Sequence, residues 1–348
     1  MRFWLALHPD VAKPIGGVKQ MHRLSEHLSS LGYTSTIIQE DSSFHPGWFE
    51  SEVNTISLKQ WNSLTDLSKF RDVIILPETY VRFFRSYSRG LPLVIFNQNG
   101  SYTFGESDPV KNRISPKFVF DSYNFRNVIQ ILCVSEHDKN LLSVFCDMPD
   151  ERISLIVNGL DNFSCSNSIK KHNIISFMPR KNSFDAGIVM RLLSIQPFSS
   201  NFKFYPIANA SHQEVMNVLQ KSLIFLSFGH PEGFGLPVAE ALASGCSVVG
   251  YTGLGGRELF DKVLRYNVAF PVENGDWPAF VNGVSSVVSR YKHDHSNFVG
   301  DLAKSSTLIR QSYSDLAMQD SIKSAVFSIE KNLSRFLSSD SDASSFAF

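Results

Sequence analysis

The residues best suited to chemistry lie between Phe228 and Gly245, where the chain reads FGHPEGFGLPVAEALASG. A buried strand over Leu223–Phe228 runs into a loop carrying Gly233 and Gly235, and Pro237 falls where a first helical turn starts. Glycines let backbone N–H groups approach a ligand closely. The helix start adds the positive end of its dipole, so the place suits an anion such as a diphosphate. Glu232 in the loop and Glu240 in the first helical turn stand eight positions apart. Two carboxylates aimed at a phosphate would repel it; they make better sense accepting hydrogen bonds from hydroxyls on either side of it. A ligand with hydroxyls flanking a diphosphate is a nucleotide-sugar. On the residues alone an alternative stays open, with Glu240 a solvated helix residue and the glycines ordinary turn punctuation.

The elements that must position this segment alternate short apolar runs with longer helical patterns, the mark of an α/β chain with mostly parallel sheets. Strands are expected at Phe3–Leu7, Thr36–Ile38, Val73–Leu76, Leu93–Phe96 and Ile129–Val134, with a short run at Leu155–Val157. A helix carries Val18, Met21, Leu24, Leu28 and Leu31 on one stripe and ends at Gly32. Ser135, with Asp138 three residues on, resembles a capping box that opens a helix to Phe145. A second series of strands is expected at Ile174–Phe177, Phe202–Tyr205, Leu223–Phe228 and Ser247–Tyr251. The pattern is helical only from Trp277 to Phe336, and the Ser/Asp-rich end from Ser338 is expected to fray. The polar stretch Asn158–Ser168 marks the domain boundary.

Length and composition set limits. At 348 residues the chain is too long for one ordinary core, and 43% hydrophobic with 19% charged residues argues for folded domains throughout. Lys plus Arg and Asp plus Glu both count 33, balanced on either side of Leu160, which argues against a nucleic-acid binder. No apolar run approaches a membrane span, and the one at Phe3–Leu7 is too short for a secretory signal. The four cysteines (Cys133, Cys146, Cys165, Cys246) lie far apart with no CxxC pair, which disfavours zinc and a disulfide framework and fits a reducing cytoplasm.

The Glu232–Glu240 segment resembles the donor-site signature of glycosyltransferase family 4, retaining enzymes of the GT-B fold (glycosyl transferases group 1). That signature is a Glu leading into Gly-Phe-Gly-Leu-Pro, with a second Glu eight positions on, and Glu232, Gly233, Phe234, Gly235, Leu236, Pro237 and Glu240 all match it. The resemblance implies that Glu232 faces the donor sugar, that Glu240 holds the ribose, and that the amides around Phe234–Leu236 meet phosphates and sugar. Pro14–Val18, with Gly16 and Gly17, resembles the family's glycine-rich loop after the first strand, which implies that Gly16 and Gly17 bind the donor, near its phosphates and the acceptor. Val134–Glu136, Val157–Asp161 and Thr252–Glu258 resemble further family turns, in the family's order. Arg180 and Lys181 follow a strand as do the Arg and Lys that neutralise the family's leaving diphosphate, although here they are adjacent. Many members carry a His after a mid-domain strand of the first half. The comparable turn here, Asn97–Gly100, has none, and Gln98 offers an acceptor-side hydrogen bond but no general base. His8 and His230 are further candidates to approach the cleft, each more often structural.

The resemblance therefore implies an α/β protein of GT-B type, two Rossmann-like domains facing across a donor-binding cleft. Residues 1–160 form the acceptor-side domain and 161–315 the nucleotide-sugar-binding domain. A C-terminal helix over 316–336 returns to the first domain, and 337–348 form a flexible tail. The expected reaction is retaining transfer from a nucleotide-sugar to a glycan or lipid-linked acceptor in polysaccharide or glycoconjugate biosynthesis, with neither metal nor cofactor and no nucleic-acid partner. Arg82, Arg85 and Arg89, interleaved with Phe83, Phe84 and Tyr87, suggest a helix face for an anionic membrane at the inner surface of the cell, or a solvated Arg stripe over buried Phe. Asp340 and Asp342 copy a metal-binding pattern of the other large glycosyltransferase fold, but their place in the tail makes this coincidence. The rivals are a nucleotide-sugar epimerase on the same fold and a non-catalytic nucleotide- or sugar-binding protein.

Overall fold

The computed structural model describes residues 1–105, 113–161 and 170–345; Cys165 and the later part of the 158–168 stretch lie outside the described residues. The chain divides into two compact units, Met1–Val157 with Met318–Phe348, and Asn158–Ala317.

The first unit opens with β1 (Arg2–Ala6), α1 (Gly16–Ser30), β2 (Thr34–Gln39), β3 (Asn54–Ser57), α2 (Leu58–Ser63) and β4 (Asp72–Pro77). It continues with α3 (Phe84–Tyr87), β5 (Leu93–Asn97), α4 (Gly100–Thr103), α5 (Pro116–Tyr123), β6 (Val128–Cys133), α6 (Glu136–Cys146) and β7 (Ile153–Leu155). Among the described residues its sheet has seven strands, all parallel, in the order β3-β2-β1-β4-β5-β6-β7. The central strands β4, β5 and β6 are buried along their whole length, as continuous Val/Ile/Leu runs covered on both faces must be. On α1 the buried residues include Met21, Leu24 and Leu28, and Gly32 takes φ +88° just beyond the helix, a left-handed conformation that favours glycine.

The second unit contains β8 (His172–Phe177), α7 (Ser183–Ser194), β9 (Lys203–Pro206), α8 (His212–Lys221), β10 (Ser222–Ser227) and α9 (Leu236–Ala243). It ends with β11 (Ser247–Tyr251), α10 (Arg257–Val263), β12 (Ala269–Val272), α11 (Trp277–His293) and α12 (His295–Ser312). Its five strands are parallel in the order β12-β11-β10-β8-β9, a second Rossmann-like sheet. Both units therefore have the expected α/β class.

The last helix, α13 (Asp315–Ser345), buries Met318, Ile322, Val326, Ile329 and Leu333 at helical spacing. Within the first unit its Asn332 donates to Gln130 Oε1 at 2.7 Å, and Tyr33 donates to its Glu330 at 2.9 Å. The frayed end expected from Ser338 is instead helical to Ser345. Ser338 and Ser339 donate their hydroxyls back to carbonyls of the preceding turn, so these serines do not break the ladder.

Candidate functional site

In open parallel sheets, ligands gather outside the carboxyl ends of the strands where strand order reverses. In the second unit that point lies between β8 and β10. The loop after β8 carries Arg180 and Lys181, and the loop after β10 carries Glu232. Lys181 Nζ stands 2.8 Å from Glu232 Oε1 and donates to the Pro231 carbonyl at 3.0 Å. Each side chain is about a quarter exposed, so the pair is reachable from solvent. Arg180 is exposed and makes no such contact among the described residues.

The loop holding Glu232 is itself tied down. Its N–H donates to the Gly253 carbonyl at 2.7 Å, and Gly255 N–H donates to its carbonyl at 3.1 Å, zipping it to the loop after β11. Gly253, at φ +70°, leaves no room for a side chain: an added Cβ would lie 2.6 Å from Glu232 Cβ. Asn182 donates to the carbonyls of Phe228 and His230 at 2.8 and 3.1 Å, tying the β8 and β10 loops together. Burial and the Lys181 charge lower the His230 pKa, keeping that ring neutral at pH 7.

Gly235 adopts φ +87° as the N-cap of α9, and no side chain caps that helix start. Pro237 sits in its first turn, where an N–H has no helical partner to lose. Gly233 and Phe234 are buried and Leu236 is partly so. The Phe234 ring packs edge-on against Tyr313, centroids 5.0 Å apart, so it is the backbone of this residue that remains to meet a ligand. Glu240 is not a solvated helix residue. Its side chain is 13% exposed, and Oε1 lies 3.8 Å from His212 Nδ1, while His212 Nε2 lies 2.9 Å from Asp161 Oδ2. Sequence reading missed His212, which opens α8 some thirty residues before Glu240 with nothing in its spacing to link the two.

In the first unit strand order reverses between β1 and β4. Gly16 and Gly17 open α1, whose N-cap Ile15 supplies no side-chain cap. Gln98, just past β5, donates from Nε2 to the Gly17 carbonyl at 3.3 Å, and a Cβ on Gly17 would approach Gln98 Oε1 to 3.1 Å. Behind this turn lies a buried acidic layer that sequence reading also missed. Glu78 Oε2 accepts the Gln98 N–H at 3.0 Å, and Asp138 Oδ2 accepts the Gly100 N–H at 2.9 Å. Burial pushes the Glu78 pKa up to about 8, against the pull of backbone hydrogen bonds and with a smaller push from Asp138. Ser135 does cap α6, accepting from Asp138 N–H at 3.2 Å, but no reciprocal capping box forms because the Asp138 carboxylate serves the Gly100 turn. His8 is wedged between Tyr80 and Tyr87, and burial lowers its pKa.

The three arginines do not share one helix. Residues Glu78–Phe83 form a 3₁₀ turn, α3 is a single turn, and Arg89 lies beyond it at φ +51°. Arg89 donates to the carbonyls of Trp61 and Leu64 at the end of α2, and Arg85 stacks over the Phe125 ring at 5.2 Å. Arg82, Phe83, Arg85 and Arg89 are all exposed. Among the described residues no helix is long and apolar enough to cross a membrane.

Residues 199–297 match the family model for glycosyl transferases group 1, a stretch that includes β9 through α11 and the Glu232–Glu240 segment. An alpha-1,6-glucosyltransferase of Actinobacillus pleuropneumoniae serotype 7 (strain AP76) is 28% identical over 125 residues, 35% of this chain and 37% of that protein. Anabaena HepE, solved with UDP and glucose, superposes with a TM-score of 0.67 at 13% identity, covering 94% of this chain and all of that one. A Staphylococcus aureus TarM variant, solved with fondaparinux, alpha-GlcNAc-glycerol and UDP, gives a TM-score of 0.68 at 10% identity over 92% of this chain and 99% of that one. At these identities the likeness is one of fold: two Rossmann-like α/β domains, as in GT-B proteins.

Proposed function

We propose that the chain is a glycosyltransferase that moves a sugar, with retention of anomeric configuration, from a nucleotide-sugar to a glycan or lipid-linked acceptor. The observation that carries this reading is the Lys181–Glu232 pair, set at the strand-order reversal just before the uncapped start of α9, within a stretch that matches glycosyl transferases group 1. UDP-glucose is the donor to test first, since one relative is named a glucosyltransferase and HepE was solved with UDP and glucose.

In this reading the α9 amides, Lys181 and Arg180 meet the diphosphate, and no metal is called on. The Glu232 carboxylate fixes the Lys181 ammonium before the donor arrives, so the charge that stabilises the leaving group needs no reorganisation during reaction. Glu232 also accepts from the sugar hydroxyls, and Glu240 from the ribose. By the same resemblance Gly16 and Gly17 approach the donor, and Gln98 serves the acceptor. A same-face attack assisted by the departing phosphate accounts for retention without a protein nucleophile. We place the protein on the cytoplasmic side, at the inner membrane face when the acceptor is lipid-linked, with the exposed Arg82, Arg85 and Arg89 to make that contact.

The two carboxylates separate the parts of this reading. Glu232→Ala loses mainly kcat, about 10²–10³-fold, the usual cost of removing a preorganised electrostatic stabiliser. Glu240→Ala mainly raises the donor KM and weakens binding of UDP, which keeps the ribose but lacks the sugar. Calorimetry with UDP and initial rates with UDP-glucose read both. Binding and turnover unchanged in both variants would end the glycosyltransferase reading. Acceptor-free release of an epimerised nucleotide-sugar would make the chain an epimerase.

A further inference from the structure

Three segments of the second unit converge on one imidazole. Asp161 comes from the turn that opens the unit, His212 is the first residue of α8, and Glu240 lies on α9. The two ring nitrogens face opposite ways, Nε2 toward Asp161 Oδ2 at 2.9 Å and Nδ1 toward Glu240 Oε1 at 3.8 Å. All three side chains are about one-fifth exposed or less, so solvent screens them only in part. A neutral imidazole has a single N–H and can donate at one edge alone. With that proton on the Asp161 side, Nδ1 turns a lone pair toward the Glu240 carboxylate. The doubly protonated ring carries an N–H and a share of positive charge at both edges.

We propose that His212 is the positioning residue for Glu240, gripping its carboxylate when the ring is protonated, so that nucleotide affinity carries a proton step that belongs to His212. The proposal rests on reading Glu240 as the ribose ligand. The titratable surroundings are simple. On α8 itself Glu214 is spent on the Ser211 cap and Lys221 lies at the far end. Glu240 is the sole ionisable residue of α9, His172 the sole one of β8, and β10 has none. Asp161 and Glu240 are thus the carboxylates that set the ring's charge. Both carboxylates stand within 4 Å of a ring nitrogen, one at each edge.

The test is calorimetry of UDP binding from pH 5.5 to 8 with the full chain, wild type against His212→Gln. Taking the ratio of the two dissociation constants cancels the nucleotide's own phosphate titration. Wild type is expected to bind about tenfold tighter at pH 5.5, the worth of a partly screened ion pair at 3.8 Å, and the advantage is expected to shrink toward pH 8. Asp161→Asn, which removes one of the two charges, shifts that decline to lower pH. In a Glu240→Ala background the pH-dependent advantage disappears. A wild-type to His212→Gln ratio that does not move with pH, or one that still moves without Glu240, overturns the proposal. Failure of the ribose reading shows separately, as unchanged UDP affinity in Glu240→Ala alone.

Discussion

Lys181 and Glu232, fifty-one positions apart in sequence, meet as an ion pair with Nζ and Oε1 2.8 Å apart, each delivered by a loop leaving the carboxyl end of a neighbouring strand. Pairs this exposed contribute little to stability, about 0–1 kcal/mol. The contact therefore matters more for where it holds a charge than for what it adds to the fold.

Lys181→Met tests that distinction. The thermal midpoint is expected to stay within a few degrees of wild type while turnover of UDP-glucose falls about 10²–10³-fold. Because Lys181 and Glu232 act together, Lys181→Met with Glu232→Ala is expected to lose less than the product of the two single effects. Strictly multiplicative losses would show that the two side chains work independently.

Gly253→Ala acts on Glu232 from behind. Its φ of +70° and the 2.6 Å approach to Glu232 Cβ both oppose a side chain, and the Gly229 carbonyl would stand only 2.9 Å away. Left-handed backbone alone costs a non-glycine residue about 1–2 kcal/mol. A lowered midpoint in chemical denaturation together with a fall in kcat is expected, and an unchanged kcat in the folded variant would show that Glu232 tolerates displacement.

Gly17→Val separates the first unit's loop from its fold. The nearest atoms to an added Cβ belong to the tip of Gln98, a side chain that can move aside. The variant is expected to fold with a near-normal melting temperature and to lose transfer, because Gln98 is pushed from its place and the loop is filled. Transfer at the wild-type rate would reduce Gly16 and Gly17 to a turn.

Glu78 makes stability depend on pH. Burial raises its folded-state pKa to about 8, against an ordinary carboxyl value near 4.5, so the native state binds more protons than the unfolded chain between those limits. The stabilisation is fully present below about pH 4.5 and is lost as pH rises through about 8. Denaturant midpoints of wild type should therefore fall relative to those of Glu78→Gln across that window, the Gln side chain still accepting the Gln98 N–H. Parallel curves for the two proteins would mean that Glu78 titrates normally.

How much could be read beforehand depended on range. Most inner strands carry an apolar stretch, and the Thr36–Ile38 and Leu223–Phe228 readings agree with β2 and β10 to within two residues at each end. The edge strands β3 and β12 escaped notice because they are four residues long, one half polar and the other interrupted by Pro271. The α9 turn was legible because Gly235, Pro237 and Gly245 act locally. The Arg82–Arg89 stretch looked like one helix because its spacing is right, but the backbone breaks it into two short turns. Neither the Glu78–Asp138 layer behind Gln98 nor the His212 bridge to Glu240 had a local signature. Each is assembled by the sheet from residues tens of positions apart.

The placement of α13 bears on how the protein comes into being at the ribosome. The first unit needs residues from Met318 onward, and those follow Val157 by the entire length of the second unit. At a synthesis rate of about 5–20 residues per second, the seven-stranded sheet waits on the order of 10–30 s before its last helix is made. During that interval the surface that Ile322, Val326 and Ile329 will cover stands bare, while the second unit, unbroken in sequence, gains all the residues it requires by the interval's end. The order of completion thus runs opposite to the order of translation: the half begun first is the half finished last.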